Sequence, residues 1–221
     1  MEMSENQNEI FTKIIKDSEL KSLAADYAEI AVDGIIKEGT LKDIPLIGTL
    51  ISVIKFGNSI NKNILTKKIY KFLFELKNIP EEKRRKKIDE INNSLKYQIN
   101  VGEIILELLD QIESDKKPEI VGRLFTAFLE EKIDFHTYLK ATHIIKKIFI
   151  YDLIDLKSNY DGEWVHKGIT NEIYTNGIVD VDYTITYEEA KADWDGIEYS
   201  DNKPTTKLTD IGKVIITLGL K

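Results

Sequence analysis

The 221-residue sequence contains no cysteine. This absence excludes disulfide bonds, thiolate zinc sites, iron–sulfur clusters and cysteine nucleophiles, and it is typical of proteins from a reducing compartment. Hydrophobic residues nevertheless make up 42% of the chain and charged residues 31%. This composition provides enough apolar material for a packed core and argues against wholesale disorder.

Long hydrophobic runs are also missing. Residues Met1–Glu9 are polar and acidic, so we expect no secretory signal. The longest apolar stretch, Ile44–Phe56, is interrupted by Lys55 and is shorter than the roughly 20 residues that a spanning helix needs. It could lie on a membrane or be buried, and we expect it to be buried. The sequence thus predicts a cytoplasmic protein, with peripheral contact at the inner face of the membrane as the alternative.

Linear signatures of catalysis and metal binding are absent as well. The chain has no Gly-rich phosphate loop, no Gly-x-Ser-x-Gly elbow and no His-Glu-x-x-His motif. The three histidines lack the spacing of a helical zinc pair: His136, His143 and His166. Two acidic pairs could bind a cation, although we favour a solvent-facing role for them: Asp180/Asp182 and Asp193/Asp195. We therefore predict no enzymatic activity, no cofactor and no metal site.

Apolar residues recur at helical spacing as far as about Leu156. Within this part, Asn100, Pro118 and Asp134 stand where helices are expected to begin, because their side chains cap or tolerate a first helical turn. The pattern predicts a helical bundle domain over residues 1–157.

Beyond that point the pattern changes to that of a strand. Apolar and polar residues alternate from Ile178 to Tyr187, Thr205–Leu208 could form a return strand, and Thr209 is placed to cap a last short helix. This order, with the segments Asn176–Ile178 and Leu208–Gly212, resembles a winged helix. The predicted fold class is therefore mainly α, with a winged-helix-like α+β module over residues 158–221.

Charge is distributed unevenly along the chain. Residues 151–221 carry a net charge of −7, and the predicted recognition helix offers only Lys167 as a cation. A winged helix that binds DNA needs Lys and Arg against the phosphate backbone. We therefore expect a protein partner or a structural role for this module, with DNA as the less favoured partner. Trp194, in a predicted loop, is a candidate partner contact.

Positive charge is concentrated in residues 61–90, which carry a net charge of +5. The candidate patch for an anionic partner consists of Lys67, Lys68, Lys71, Lys83, Arg84, Arg85, Lys86 and Lys87. One interpretation is a solvated helix start balanced by neighbouring carboxylates. The other is contact with anionic lipid or nucleic acid, which requires the two basic helices to be antiparallel neighbours.

Three stretches resemble a group of bacterial proteins known as abortive infection alpha. They are Lys42–Thr49 with its Ile-Pro-x-Ile-Gly turn, Lys68–Arg85, and Gly122–Leu139. The resemblance implies a role in defence against phage, in which the infected cell stops growing or dies, and it assigns no catalytic residue. We therefore expect a non-enzymatic bacterial phage-defence protein that acts through protein or membrane contacts. A winged-helix transcriptional regulator that binds DNA is the alternative.

Overall fold

The computed structural model describes residues 5–17, 20, 50, 59–97, 100–182 and 205–220. The chain divides into two compact units, Met1–Lys147 and Ile148–Leu220. The sequence-based boundary at residue 157 lies further along the chain, at the end of the first helix of the second unit.

The first unit contains six described helices: α1 (Glu5–Lys16), α2 (Ser59–Glu75), α3 (Glu81–Asn92), α4 (Val101–Gln111), α5 (Lys117–Leu129) and α6 (Phe135–Lys147). The predicted helix starts are confirmed. The Asn100 side chain accepts the N–H of Gly102 at 2.9 Å, Pro118 lies in the first turn of α5, and Asp134 Oδ1 accepts the N–H of Thr137 at 2.7 Å. The first-turn N–H groups of a helix have no partner within the helix. Asn100 and Asp134 accept such N–H groups, and Pro118 has no backbone N–H that would need a partner.

Aromatic rings form the centre of this unit. Phe11, Phe72, Phe125 and Tyr138 are fully buried, and successive ring centroids lie 6.2, 5.6 and 5.3 Å apart. These rings come from α1, α2, α5 and α6, so they join four helices into one core.

Among the described helices, the most extensive pair is α2 with α5, and it depends on a glycine. A Cβ placed on Gly122 of α5 would stand 2.8 Å from the carbonyl oxygen of Phe72 and 2.9 Å from Cβ of Glu75. Only a residue without a side chain allows the two helices to approach this closely.

The second unit combines short helices with a small sheet. Its elements are α7 (Ile150–Ser158), α8 (Asn171–Thr175), β1 (Val179–Asp182), β2 (Thr205–Leu208) and α9 (Asp210–Lys213), which continues as a π-helical turn over Val214–Gly219. The strands pair antiparallel, with Val179 opposite Leu208. Thr209 caps α9, as predicted, by accepting the N–H of Gly212 at 3.1 Å. The mainly helical class with a small β component is thereby confirmed.

Two predictions fall largely or wholly outside the described residues. The predicted strand beyond Asp182 is one of them. The apolar stretch Ile44–Phe56 is represented only by Leu50, which is helical and fully buried. Among the residues that the structure describes, no helix is long and apolar enough to cross a bilayer.

Candidate binding surface around helix α3

Arg84, the second residue of the basic run 83–87, is part of the core rather than of the surface. Its side chain is only 3% exposed. The guanidinium donates from Nε to the carbonyl oxygen of Ile15 at 2.8 Å and from its other nitrogens to the carbonyl oxygens of Ile79 and Asp17. Two of these carbonyls belong to the C-terminal end of α1, where backbone acceptors lack intrahelical partners and attract a cation. Arg84 therefore holds α1 against α3 and is not available to an external anion.

Two lysines of the unit act in the same way. Lys68, on α2, is 7% exposed, and its ammonium donates to the carbonyl oxygens of Ile112 and Asp110 (3.3 Å to the latter), at the C-terminal end of α4. Burial lowers the pKa of Lys68. Lys117 donates to the carbonyl oxygen of Lys146, in the last turn of α6, at 3.1 Å. Buried cations thus cap the ends of three neighbouring helices.

Three more residues of the predicted patch form ion pairs at the surface. Lys71 lies 2.9 Å from Asp115 and 3.2 Å from Glu119, and Arg85 pairs with Glu81 one turn earlier on α3. Lys87 bridges Glu90 (3.0 Å) and Glu131 (2.8 Å). The hydrogen bonds from these two carboxylates, with Glu131 first, raise the pKa of Lys87.

Lys67, Lys83 and Lys86 complete the predicted patch. None of the three forms a hydrogen bond or ion pair with a residue that the structure describes. Within the described ranges, α2 and α3 make no substantial contact with each other, because α2 packs on α5 and α4, whereas α3 packs on α1, α4 and α5. The arrangement in which two basic helices lie side by side is therefore not the one observed.

An open groove of about 360 Å³ lies beside α3. Its residues come from α3, from the segment that follows it, and from the end of α5, the start of α6 and the turn between them: Lys87, Glu90, Ile91, Tyr97, Phe128, Glu131, Ile133, Asp134 and Phe135. We call this feature the α3 groove. Its floor is aromatic: the centroid of Phe135 lies 5.2 Å from that of Tyr97, edge-on, and 5.3 Å from that of Phe128.

The rim of the α3 groove carries a residue in an unusual backbone conformation. Glu131 has a φ of 64°, in the left-handed region that favours glycine. Its N–H donates to the carbonyl oxygen of Phe128, and the next N–H, of Lys132, donates to that of Ala127, both at 2.9 Å. This pattern is the Schellman motif that ends many helices, with glycine as the usual residue at this position. Here the position carries a carboxylate at the groove.

Two carboxylates of the groove, those of Glu131 and Asp134, are held in their ionised form. The hydrogen bond from Lys87 lowers the pKa of Glu131, and the nearby charges of Lys83 and Lys86 act in the same direction. The hydrogen bonds from Thr137 lower the pKa of Asp134. Glu131 and Asp134 therefore remain negative at neutral pH and well into the acidic range.

Other predicted site residues lie elsewhere or outside the described part. Trp194, Asp193 and Asp195 fall in a stretch that is not described, whereas Asp180 is exposed on β1. No group of three or more His, Asp or Glu that could hold a metal ion occurs among the described residues. His166 contacts Asp161 at 2.7 Å, and the N–H groups of Trp164 and Glu163 together with His166 lower the pKa of Asp161 to about 2.

No family model, curated protein or solved structure matches this chain. The resemblance to the abortive infection alpha group therefore stays a prediction.

Sequence reasoning missed the α3 groove and the burial of Arg84. The burial of Arg84 could have been predicted from helical spacing, because Arg84 precedes Ile88 by four residues and Ile91 by seven. These three residues form the buried face of α3. No sequence pattern could have predicted the α3 groove, because its floor joins residues from two separate parts of the chain.

Proposed function

We propose that this chain is a non-enzymatic bacterial phage-defence protein of the abortive infection kind, which acts through contacts with a protein partner or an anionic membrane surface. The observation that carries the proposal is the pairing of α2 with α5. Two of the three stretches that resemble the family, Lys68–Arg85 and Gly122–Leu139, meet there, at the close approach of Gly122 to Phe72. The packing places the two stretches in one structural element of the bundle, and the resemblance itself is what points to phage defence.

The surface available for contact is smaller than the predicted patch. With Lys68 and Arg84 buried, and Lys71, Arg85 and Lys87 in ion pairs, the cations that remain for a partner are Lys67, Lys83 and Lys86. Lys83 and Lys86 lie one turn apart on α3, so they present charge on one side of that helix. A cytoplasmic protein with such a helix could meet a partner or the inner face of the membrane.

The decisive experiment is phage challenge of cells that produce the chain, at high and low ratios of phage to cell, with growth followed in time. The proposal predicts collapse of the culture at high ratio and survival at low ratio. Unchanged growth and plaque formation across a diverse phage panel would refute it.

A pair of charge-reversal variants tests the contact surface. Lys83→Glu with Lys86→Glu is expected to abolish protection. The matched control is Lys13→Glu with Lys140→Glu, two exposed lysines on α1 and α6, and it should retain protection. Equal protection by both double variants would remove Lys83 and Lys86 from the mechanism.

A winged-helix transcriptional regulator is the second candidate. The order α8, β1, β2, α9 of the described elements supports it, because a winged helix likewise has a short helix, an antiparallel pair of strands and a closing helix in this order. Against it, α8 carries no Lys or Arg, and residues 151–221 have a net charge of −7. Retention on double-stranded DNA at low salt, lost as salt is raised, would favour this candidate, and no retention at low salt would exclude it.

A further inference from the structure

The charges at the rim of the α3 groove are already matched within the chain. Lys87 bridges Glu90 and Glu131, and Asp134 accepts hydrogen bonds from the backbone and the side chain of Thr137. Further cations lie near these carboxylates: Lys83, Lys86 and Lys96. The rim therefore selects neither a cation nor an anion, and the apolar floor decides what the groove can bind. An uncharged apolar side chain fits such a floor.

Leu95, beside the groove, is the most exposed large hydrophobic residue of the part that the structure describes, at 88%. It precedes Tyr97, which lines the groove, by only two residues. A single exposed leucine needs no explanation by itself. At the edge of an apolar groove, however, it extends that groove into a larger apolar surface.

A turn fixes the direction in which Leu95 projects. The carbonyl oxygen of Ser94 accepts the N–H of Tyr97 at 3.3 Å, and the Ser94 hydroxyl accepts the N–H of Lys96 at 3.2 Å. These are the bonds of a four-residue turn with Leu95 in its second position. The Tyr97 ring packs edge-on against Phe135, in the floor of the groove, whereas Leu95 points to solvent. The turn therefore places a projecting leucine next to a recess that this leucine does not fill.

We propose that the α3 groove binds Leu95 of a second copy of this chain, so that two copies form a dimer with twofold symmetry. In such a dimer one patch faces the same patch of the other copy, and each copy supplies one leucine and one groove. A different partner would have to bring its own apolar side chain, whereas this chain already presents one at the groove itself. This inference goes beyond the proposed function and does not depend on it.

The size and charge of the patch suit a weak dimer. At about 360 Å³ the groove is at the small end of binding sites, which suits one or two side chains from each copy. The net charge of the chain is −7, but the paired charges of the rim remove the repulsion where the two copies would meet. Stable dimers bury about 1,600 Å² or more, and a turn and a groove from each copy bury less, so we expect a micromolar to millimolar dissociation constant.

The test is sedimentation equilibrium of the purified full chain, at concentrations from micromolar to near-millimolar. The parent chain should show a reversible equilibrium between monomer and dimer. Leu95→Asp removes both leucines of the dimer and should weaken self-association by about 100-fold or more. The matched control is Ile64→Asp, which changes an exposed aliphatic residue of α2 outside the groove and should leave self-association unchanged. Circular dichroism should show that both variants are folded, because both side chains are exposed.

A mixing experiment separates the leucine from the groove. Ile133→Trp places a bulky ring in the groove and should also weaken self-association, although it keeps Leu95. A mixture of the Ile133→Trp and Leu95→Asp chains should associate more strongly than either chain alone. The reason is that the mixed pair keeps one complete contact, between Leu95 of the first chain and the unfilled groove of the second.

Three results would overturn the proposal: a parent chain that is monomeric at every concentration, equal self-association of the Leu95→Asp and Ile64→Asp chains, or no association in the mixture. The first of these would assign the groove to a different occupant. Because sedimentation uses the purified chain without phage, its outcome and that of the phage experiment are independent of each other.

Discussion

Replacement of Arg84 by lysine is the sharpest test of how the basic run is used. The change keeps the positive charge and much of the side-chain length, so it isolates the geometry of the guanidinium. Arg84 donates to three carbonyl oxygens, those of Ile15, Asp17 and Ile79, which lie on two separate segments of the chain. The planar fork of arginine presents donors in several directions at once, whereas a single ammonium cannot reach all three acceptors.

The expected cost follows from the bonds lost. A hydrogen bond to a charged group contributes about 1.5–3 kcal/mol, and lysine can retain one of the three. Loss of two bonds at the lower value predicts a decrease of about 3 kcal/mol in the free energy of unfolding. With a urea dependence of about 2 kcal/mol per molar, the unfolding midpoint should fall by about 1.5 M.

Arg85→Lys is the matched control. Arg85 is adjacent in sequence and pairs with Glu81 on the exposed side of α3. Exposed ion pairs of this kind contribute little, so the same substitution should change the free energy of unfolding by less than about 0.5 kcal/mol.

Urea unfolding followed by circular dichroism measures both variants. Equal stabilities of the Arg84→Lys and Arg85→Lys chains would refute the structural role of Arg84. Arg84 would then again be a candidate for contact with an anionic partner.

Three further substitutions give outcomes that sequence rules alone would not predict. Gly122→Ala should lower the free energy of unfolding by about 1–3 kcal/mol in thermal or urea unfolding, because the added Cβ would clash with the carbonyl oxygen of Phe72. Alanine normally stabilises a helix interior, so an increase in the free energy of unfolding would mean that α2 and α5 are further apart. Tyr138→Phe should raise it by about 1 kcal/mol, since the buried hydroxyl has no hydrogen-bond partner among the described residues, and a loss would reveal a partner such as a buried water. Glu131→Gly should raise the thermal midpoint by relieving the left-handed backbone, and a decrease would show that the ion pair with Lys87 outweighs that strain.

The two interpretations of the basic run each apply to some of its members. Arg85 and Lys87 are balanced by carboxylates close to them, as expected of a solvated helix start. Lys83 and Lys86 form no ion pair with a described residue, so they are the members that an anionic partner could still meet. Arg84 belongs to neither interpretation, because its partners are backbone carbonyls inside the fold.

Short-range features of this protein could be read from the sequence. The helix starts at Asn100 and Asp134, the cap at Thr209 and the strand around Val179 depend on contacts within a few residues or on a simple alternation of apolar side chains. Such interactions are specified by the local sequence, so pattern and capping rules are sufficient to locate them.

Only the tertiary structure decided which charges are buried and where the α3 groove forms. Arg84 reaches a carbonyl 69 residues away and Lys68 one 44 residues away, and no local pattern identifies such acceptors. The α3 groove likewise joins Tyr97 to Phe128 and Phe135 through the packing of separate helices. The sequence determined which segments become helices and strands, whereas long-range packing decided which of their polar side chains stabilise the fold and which remain available for binding.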